Sequence, residues 1–248
     1  DFDNDGFRDM VITNGLPRDV TDLDYIGYNN GQGGSGGKYT LGMTDSLPVV
    51  KLSNYSFKNE NGILFQNTSK QWGFTEPSFS NGAAYVDLDN DGDLDVVINN
   101  INDESFIYEN TLNDREKSSS NFLVVTVIGQ DLNINGIGTT ITIYFAGGKM
   151  LYYEHHPARG YLSTDDPRAH FGLGATSTVD SLIVKWPDGR LQKLTNIKAG
   201  SSITLSYKNS VNINNQTSQN VVSSYLINSN DRYGVKFKPT ERIFIDYN

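Results

Sequence analysis

The sequence predicts an all-β protein in which repeated, strand-rich segments are followed by a separate β-domain, and three observations carry that prediction. The first is composition. With 24 glycines, 14 tyrosines and 12 phenylalanines in 248 residues, the chain suits short strands joined by tight turns better than helices. The second is the lack of any long apolar pattern at helical period. The third is a succession of short apolar runs, such as 121–128 and 181–186, bounded by Gly, Asn, Asp and Pro.

Charge and cysteine content narrow the function classes. Twenty basic against 29 acidic residues leave a net charge of −9, which argues against a nucleic-acid partner, because phosphate contacts need clustered Lys and Arg. An acidic chain suits cations instead. With no cysteine, the chain has no disulfides, iron–sulfur clusters or thiolate zinc sites. No apolar run is long enough to span a bilayer as a helix, and no signal peptide opens the sequence. Residue 1 falls within a motif, so the sequence is expected to be part of a longer chain.

That motif occurs twice. Asp1, Asp3, Asp5, Gly6 and Asp9, and again Asp87, Asp89, Asp91, Gly92 and Asp95, fit D-x-D-x-D-G-x-x-D, and each set runs directly into an apolar strand, at 10–13 and at 96–99. Calcium takes roughly six to eight hard oxygens, which one short loop supplies when alternate side chains converge and a glycine permits the reversal. The expected ligands are the carboxylates of Asp1, Asp3, Asp5 and Asp9 with the Phe7 carbonyl, and those of Asp87, Asp89, Asp91 and Asp95 with the Asp93 carbonyl. An EF-hand is rejected by spacing: its twelfth position needs a bidentate Glu, and Ile12 and Ile98 stand there. Without a cation such carboxylates repel one another, so metal is expected to order the loops.

Longer echoes surround the loops. A strand at 81–86 leads into the second, and 105–110 follows it; 55–59 plays that last role for the first loop, before an Asn61-Gly62 turn and a strand at 63–67. Short strands recurring with an aspartate loop predict blades of a β-propeller or related array. Residues 1–112 resemble the FG-GAP/VCBS repeats, a resemblance that implies calcium in the turn between blade strands. The glycine-rich run 31–37, within an insertion at 15–50, is expected to be a flexible loop, lacking the Lys and Ser/Thr of a phosphate-binding P-loop.

Polar residues 112–121 read as a linker, after which strands are expected at 121–128, 136–144, 149–153, 170–172, 181–186 and 202–207, with Pro187-Asp188-Gly189 as a hairpin turn. Short strands at this spacing predict a β-sandwich. Residues 121–207 resemble the ASPIC/UnbV domain through Gly136-Ile137-Gly138, Arg159-Gly160-Tyr161-Leu162-Ser163, Asp166-Pro167-Arg168-Ala169-His170-Phe171-Gly172-Leu173-Gly174 and Val184-Lys185-Trp186-Pro187-Asp188-Gly189. The resemblance implies a secreted or surface-exposed protein. The stretch 208–248 reads as an Asn/Ser-rich linker with joining strands, ending at Asp246-Tyr247-Asn248 on what mimics the start of a further aspartate loop.

Catalysis finds little support. His155 and His156 are adjacent, so on a strand they face opposite ways and do not share a ligand set. Ser163, Asp165 and His170 lack a nucleophile elbow. Arg159 and Asp166 are expected to pair structurally. The leading expectation is a non-enzymatic, calcium-stabilised binding or adhesion module of a secreted or cell-surface bacterial protein, its partner a protein or glycan. The alternatives are a glycan-binding accessory of a polysaccharide-processing system, using Trp72 or Trp186 as a stacking platform, and last a hydrolase.

Overall fold

Strands dominate the computed structural model, which describes residues 1–15, 49–113, 120–156 and 158–212. The all-β class stands. The run 31–37, the polar residues 114–119 and the tail from 213 onward lie outside the described residues. Residues Asp1–Ile213 form one compact unit, and Asn214–Asn248 are assigned to a second. No helix among the described residues is long and apolar enough to cross a membrane.

The N-terminal part of the first unit holds two three-stranded antiparallel sheets, each containing the strand that leaves one aspartate loop. Strands β1 (Met10–Ile12), β3 (Tyr55–Asn59) and β4 (Phe65–Asn67) form one, in the order β1-β3-β4. The short β2 (Leu52–Ser53) pairs with β5 (Pro77–Ser78). Strands β6 (Ser80–Val86), β7 (Asp95–Asn100) and β8 (Phe106–Tyr108) form the other. Met10 stands opposite Phe57 and Val96 opposite Tyr108, so the strand leaving each aspartate loop meets its partner in the same register. The two sheets share one small core: Phe74, Val96 and Ile98, against which Phe2, Val11 and Trp72 pack.

The Asn61-Gly62 turn forms with Gly62 at φ 86°. It also shortens β4, which was expected to begin at residue 63. Asn61 Oδ1 accepts the amides of Ile63 and Leu64, removing them from the ladder and leaving Ile63 83 % exposed.

The rest of the unit is a β-sandwich. One sheet runs β11 (Lys149–Glu154), β10 (Thr140–Phe145), β13 (Thr178–Lys185), β14 (Leu191–Lys198); the other runs β12 (Ala169–Gly174), β9 (Asn121–Ile128), β15 (Ser201–Ser206). Alternation builds the core. Ile141, Ile143 and Phe145 of β10 and Leu123, Val125 and Val127 of β9 face inward, with Phe171, Leu182, Val184 and Leu205. Val124 is buried too, on the opposite face of β9. A strand covered on both sides explains the near-continuous apolar run 122–128.

Three expectations need correction. The strand expected at 136–144 starts only at Thr140, because Gly136 and Gly138 sit in turns at φ 65° and 83°. Tyr207 belongs not to β15 but to a 3-10 turn, Tyr207–Asn209. Strand β14 was not foreseen beyond the Pro187-Asp188-Gly189 hairpin. It is an edge strand with Ile197 its one buried side chain, and so carries little apolar alternation.

Candidate metal centre

Both aspartate loops fold to one plan. Position four, Asn4 or Asn90, takes a left-handed backbone at φ 57° and 64°, and Gly6 and Gly92 follow at 96° and 91°. Asparagine is among the few residues that tolerate that region, and glycine reaches beyond it. Main-chain amides then turn the carboxylates inward. Asp5 N donates to Asp3 Oδ1 at 3.3 Å and Asp91 N to Asp89 Oδ1 at 3.2 Å; Phe7 N donates to Asp5 Oδ1 and Asp93 N to Asp91 Oδ1.

The ninth position is a clasp. Asp9 accepts the amide of Phe2 at 2.7 Å and that of Asn59 at 2.9 Å; Asp95 accepts those of Leu88 at 2.9 Å and Asn110 at 2.8 Å. Asn59 and Asn110 also donate their side-chain amides to the carbonyls of Arg8 and Leu94. Each clasp ties the loop's entry to the C-terminal end of the strand that pairs with the one leaving the loop, so loop shape and strand position move together.

Of the expected ligands, Asp1, Asp3 and Asp9 can each bring one carboxylate oxygen within 4.8 Å of the others, as can Asp87, Asp89 and Asp91. Asp5 and Asp95 stand outside these two groups. Asp5 and Asp3 instead form ion pairs with the ammonium of Lys58. Around the second loop, Asp87 Oδ1 and Asp93 Oδ1 are buried without a hydrogen-bond partner among the described residues. Burial pushes the Asp87 carboxyl upward, against the Arg168 guanidinium. Asp93 is pushed up to about 7 by burial, with the charges of Asp91, Asp95 and Asp89 adding to it. A buried carboxylate with an unused oxygen among other carboxylates is a donor set that a hard divalent cation would satisfy.

The sandwich closes over these loops through side chains from the motif at 166–174. Arg168 donates to the carbonyl of Asp87 and to Asn90 Oδ1, both at 2.8 Å, while its Nε holds Asp166 at 2.7 Å. Asp166 therefore pairs with Arg168 and not, as expected, with Arg159, whose guanidinium reaches the Glu154 carbonyl. His170 Nε2 lies 3.1 Å from the carbonyl of Gly92, which also accepts Asn4 Nδ2 at 3.0 Å. One carbonyl thus joins both loops to the sandwich. Gly174 N donates to the Asn4 carbonyl at 2.7 Å. These contacts were not foreseen from the sequence, although His170 in a strand, with Arg168 just before it, was a signal that the strand's outer face meets something polar.

The other candidates are bound elsewhere. Ser163 Oγ donates to the Tyr161 carbonyl and accepts the Ala83 amide, and Asp165 Oδ1 accepts the Tyr85 amide. With His170 facing Gly92, these three do not form a relay. His155 is buried and His156 exposed, as their opposite facing requires. Trp186, at 1 % exposure, packs edge to face on Tyr207 and offers no stacking platform, which removes it from the glycan alternative. Trp72 stands edge-on to Phe2.

No curated protein matches the chain. The protein-family model described as ASPIC and UnbV matches residues 129–212, from just after β9 to just beyond the 3-10 turn, so this part of the chain carries an ASPIC/UnbV domain.

Proposed function

We propose that the chain is a non-enzymatic binding module of a secreted or cell-surface protein, whose N-terminal residues 1–112 are FG-GAP/VCBS-type blades stiffened by calcium. One observation carries the calcium reading. The second loop gathers Asp87, Asp89 and Asp91 within 4.8 Å and buries two carboxylate oxygens, on Asp87 and Asp93, that no donor among the described residues meets. Calcium would be held by those carboxylates, with the Asp93 carbonyl and Asp95 completing the set, and its role would be structural. The matching strand registers after both loops support the repeat assignment. An exterior location fits, because a metal that stiffens by mass action must be abundant, and calcium is abundant outside cells. The ligand is read as a protein or glycan contacting the strand-rich surface.

The test is thermal unfolding of the whole chain with calcium and with chelator. At free calcium about 100-fold above the dissociation constant, the gain is about 2.7 kcal/mol, or a rise of about 5 to 10 °C in Tm for a unit of this size. Magnesium, which demands small octahedral geometry, restores little of it. Asp89→Asn should melt in calcium as the wild type does in chelator. A Tm indifferent to chelator overturns the reading.

A further inference from the structure

The two loops follow one backbone plan, yet a single position of the repeat differs in charge sign beside them. Met10 pairs with Phe57 and Val96 with Tyr108, so the next residues, Lys58 and Glu109, are equivalent. The clasps confirm the alignment, since Asn59 N binds Asp9 and Asn110 N binds Asp95. Lys58 points its ammonium into the first loop, forming an ion pair with Asp3 and another, at 3.3 Å, with Asp5 Oδ2. Its side chain is about one-third exposed, and those of Asp3 and Asp5 are less so.

We propose that Lys58 is the built-in cation of the first aspartate loop, so that this protein takes one calcium ion, at the second loop, and admits a second only when Lys58 is replaced. The proposal rests on calcium being the cation of the second loop. Three features separate the loops. Asp3 and Asp5, two of the expected ligands, already have a cation partner in the first. The second loop carries an additional carboxylate, Asp93, where the first has the exposed Phe7. It also has Glu109 where the first has Lys58. Among the described residues, the cation that hydrogen-bonds to this loop, Arg168, gives its Nε to Asp166 and reaches the loop through the Asp87 carbonyl and Asn90 Oδ1 rather than through a carboxylate.

A tethered ammonium competes with a free ion at an effective concentration of roughly millimolar, which dilution does not lower. Calcium entering the first loop must displace it, or bind beside it against like-charge repulsion.

The experiment is isothermal titration of the decalcified whole chain with calcium chloride alone, at physiological ionic strength. Wild type should bind one ion, Lys58→Met two. Asp3→Asn in the wild-type background should change neither number nor affinity. The reciprocal change, Glu109→Lys, should weaken the second loop by about tenfold, a single misplaced charge near the site. Two ions on wild type, or loss of an ion in Asp3→Asn, overturns the proposal, and this arm stands even if Lys58→Met fails to fold. A folded Lys58→Met chain that still binds one ion overturns it as well. Asp89→Asn separates the two ideas: if that variant keeps the wild-type ion, the calcium reading of the second loop has failed, whatever Lys58 does.

Discussion

Gly92→Ala should destabilise the protein by about 3 kcal/mol or more, the sum of a left-handed backbone forced on a residue with a side chain and an overpacked contact. At φ 91° the position already disfavours any L residue, and the added methyl would overlap the ring of Phe122 on β9. That ring cannot swing freely. It stacks on His170 at a centroid distance of 6.1 Å and an interplanar angle of 14°. The internal control is Gly6→Ala in the first loop. Its φ is 96°, but its methyl would meet only the Gly172 carbonyl at 3.4 Å, so about 1 to 2 kcal/mol is expected. Urea midpoints of the two variants measure the difference. Adding Phe122→Leu to Gly92→Ala should recover part of the loss, since the smaller side chain relieves the overlap. Equal destabilisation by both glycine variants would mean that the sandwich does not press on the second loop.

The placement of Phe122 shows where the sequence stops being informative. Local rules were enough for much of the fold: the Asn61-Gly62 turn, the Pro187-Asp188-Gly189 hairpin and the strand at 121–128 all follow from turn chemistry and apolar runs. The two loops were legible because D-x-D-x-D-G dictates its own backbone, with Asn and Gly at the positions of positive φ. What was not legible is contact between segments distant in the chain. Arg168 lies 81 residues from Asp87. No local pattern links the turn before a sandwich strand to a loop so remote. The apolar run of β9 hinted at burial on both faces, but not at which element covers the second. Lys58 was different in kind. The repeat carried a hint of it, once Asn59 and Asn110 were aligned, because the two copies then differ in sign at the preceding position, Lys58 against Glu109. Edge strand β14 was missed for a plainer reason: it buries too little to show a period-two pattern.

Acidification should weaken the folded state through His170 by about 3 kcal/mol, and the direction follows from where its proton is less welcome. Burial, with the Arg168 charge adding to it, lowers its pKa from 6.5 to about 4, although the Gly92 carbonyl favours the protonated ring. Nδ1 is buried without a partner, and Gly92 offers only an acceptor to Nε2, so the ring is neutral with its hydrogen on Nε2. The unfolded chain takes up its proton near pH 6.5 and the folded one only near pH 4. The contribution is therefore complete above pH 6.5, drains away between 6.5 and 4, and is gone below; that gap, at about 1.4 kcal/mol per decade, gives the stated total. Asp93 has the opposite sign. A carboxyl pushed up to about 7 favours the fold at low pH and loses that contribution as pH rises from about 4 to about 7, unless a cation takes the charge. Raw stability profiles in chelator mix the two. The informative quantity is the difference between wild type and His170→Gln, a variant that keeps a donor for Gly92 but does not titrate. That difference should favour wild type near neutrality and shrink, or reverse, between pH 6.5 and 4; a difference independent of pH would mean that the imidazole is not enclosed between Phe122 and the second loop.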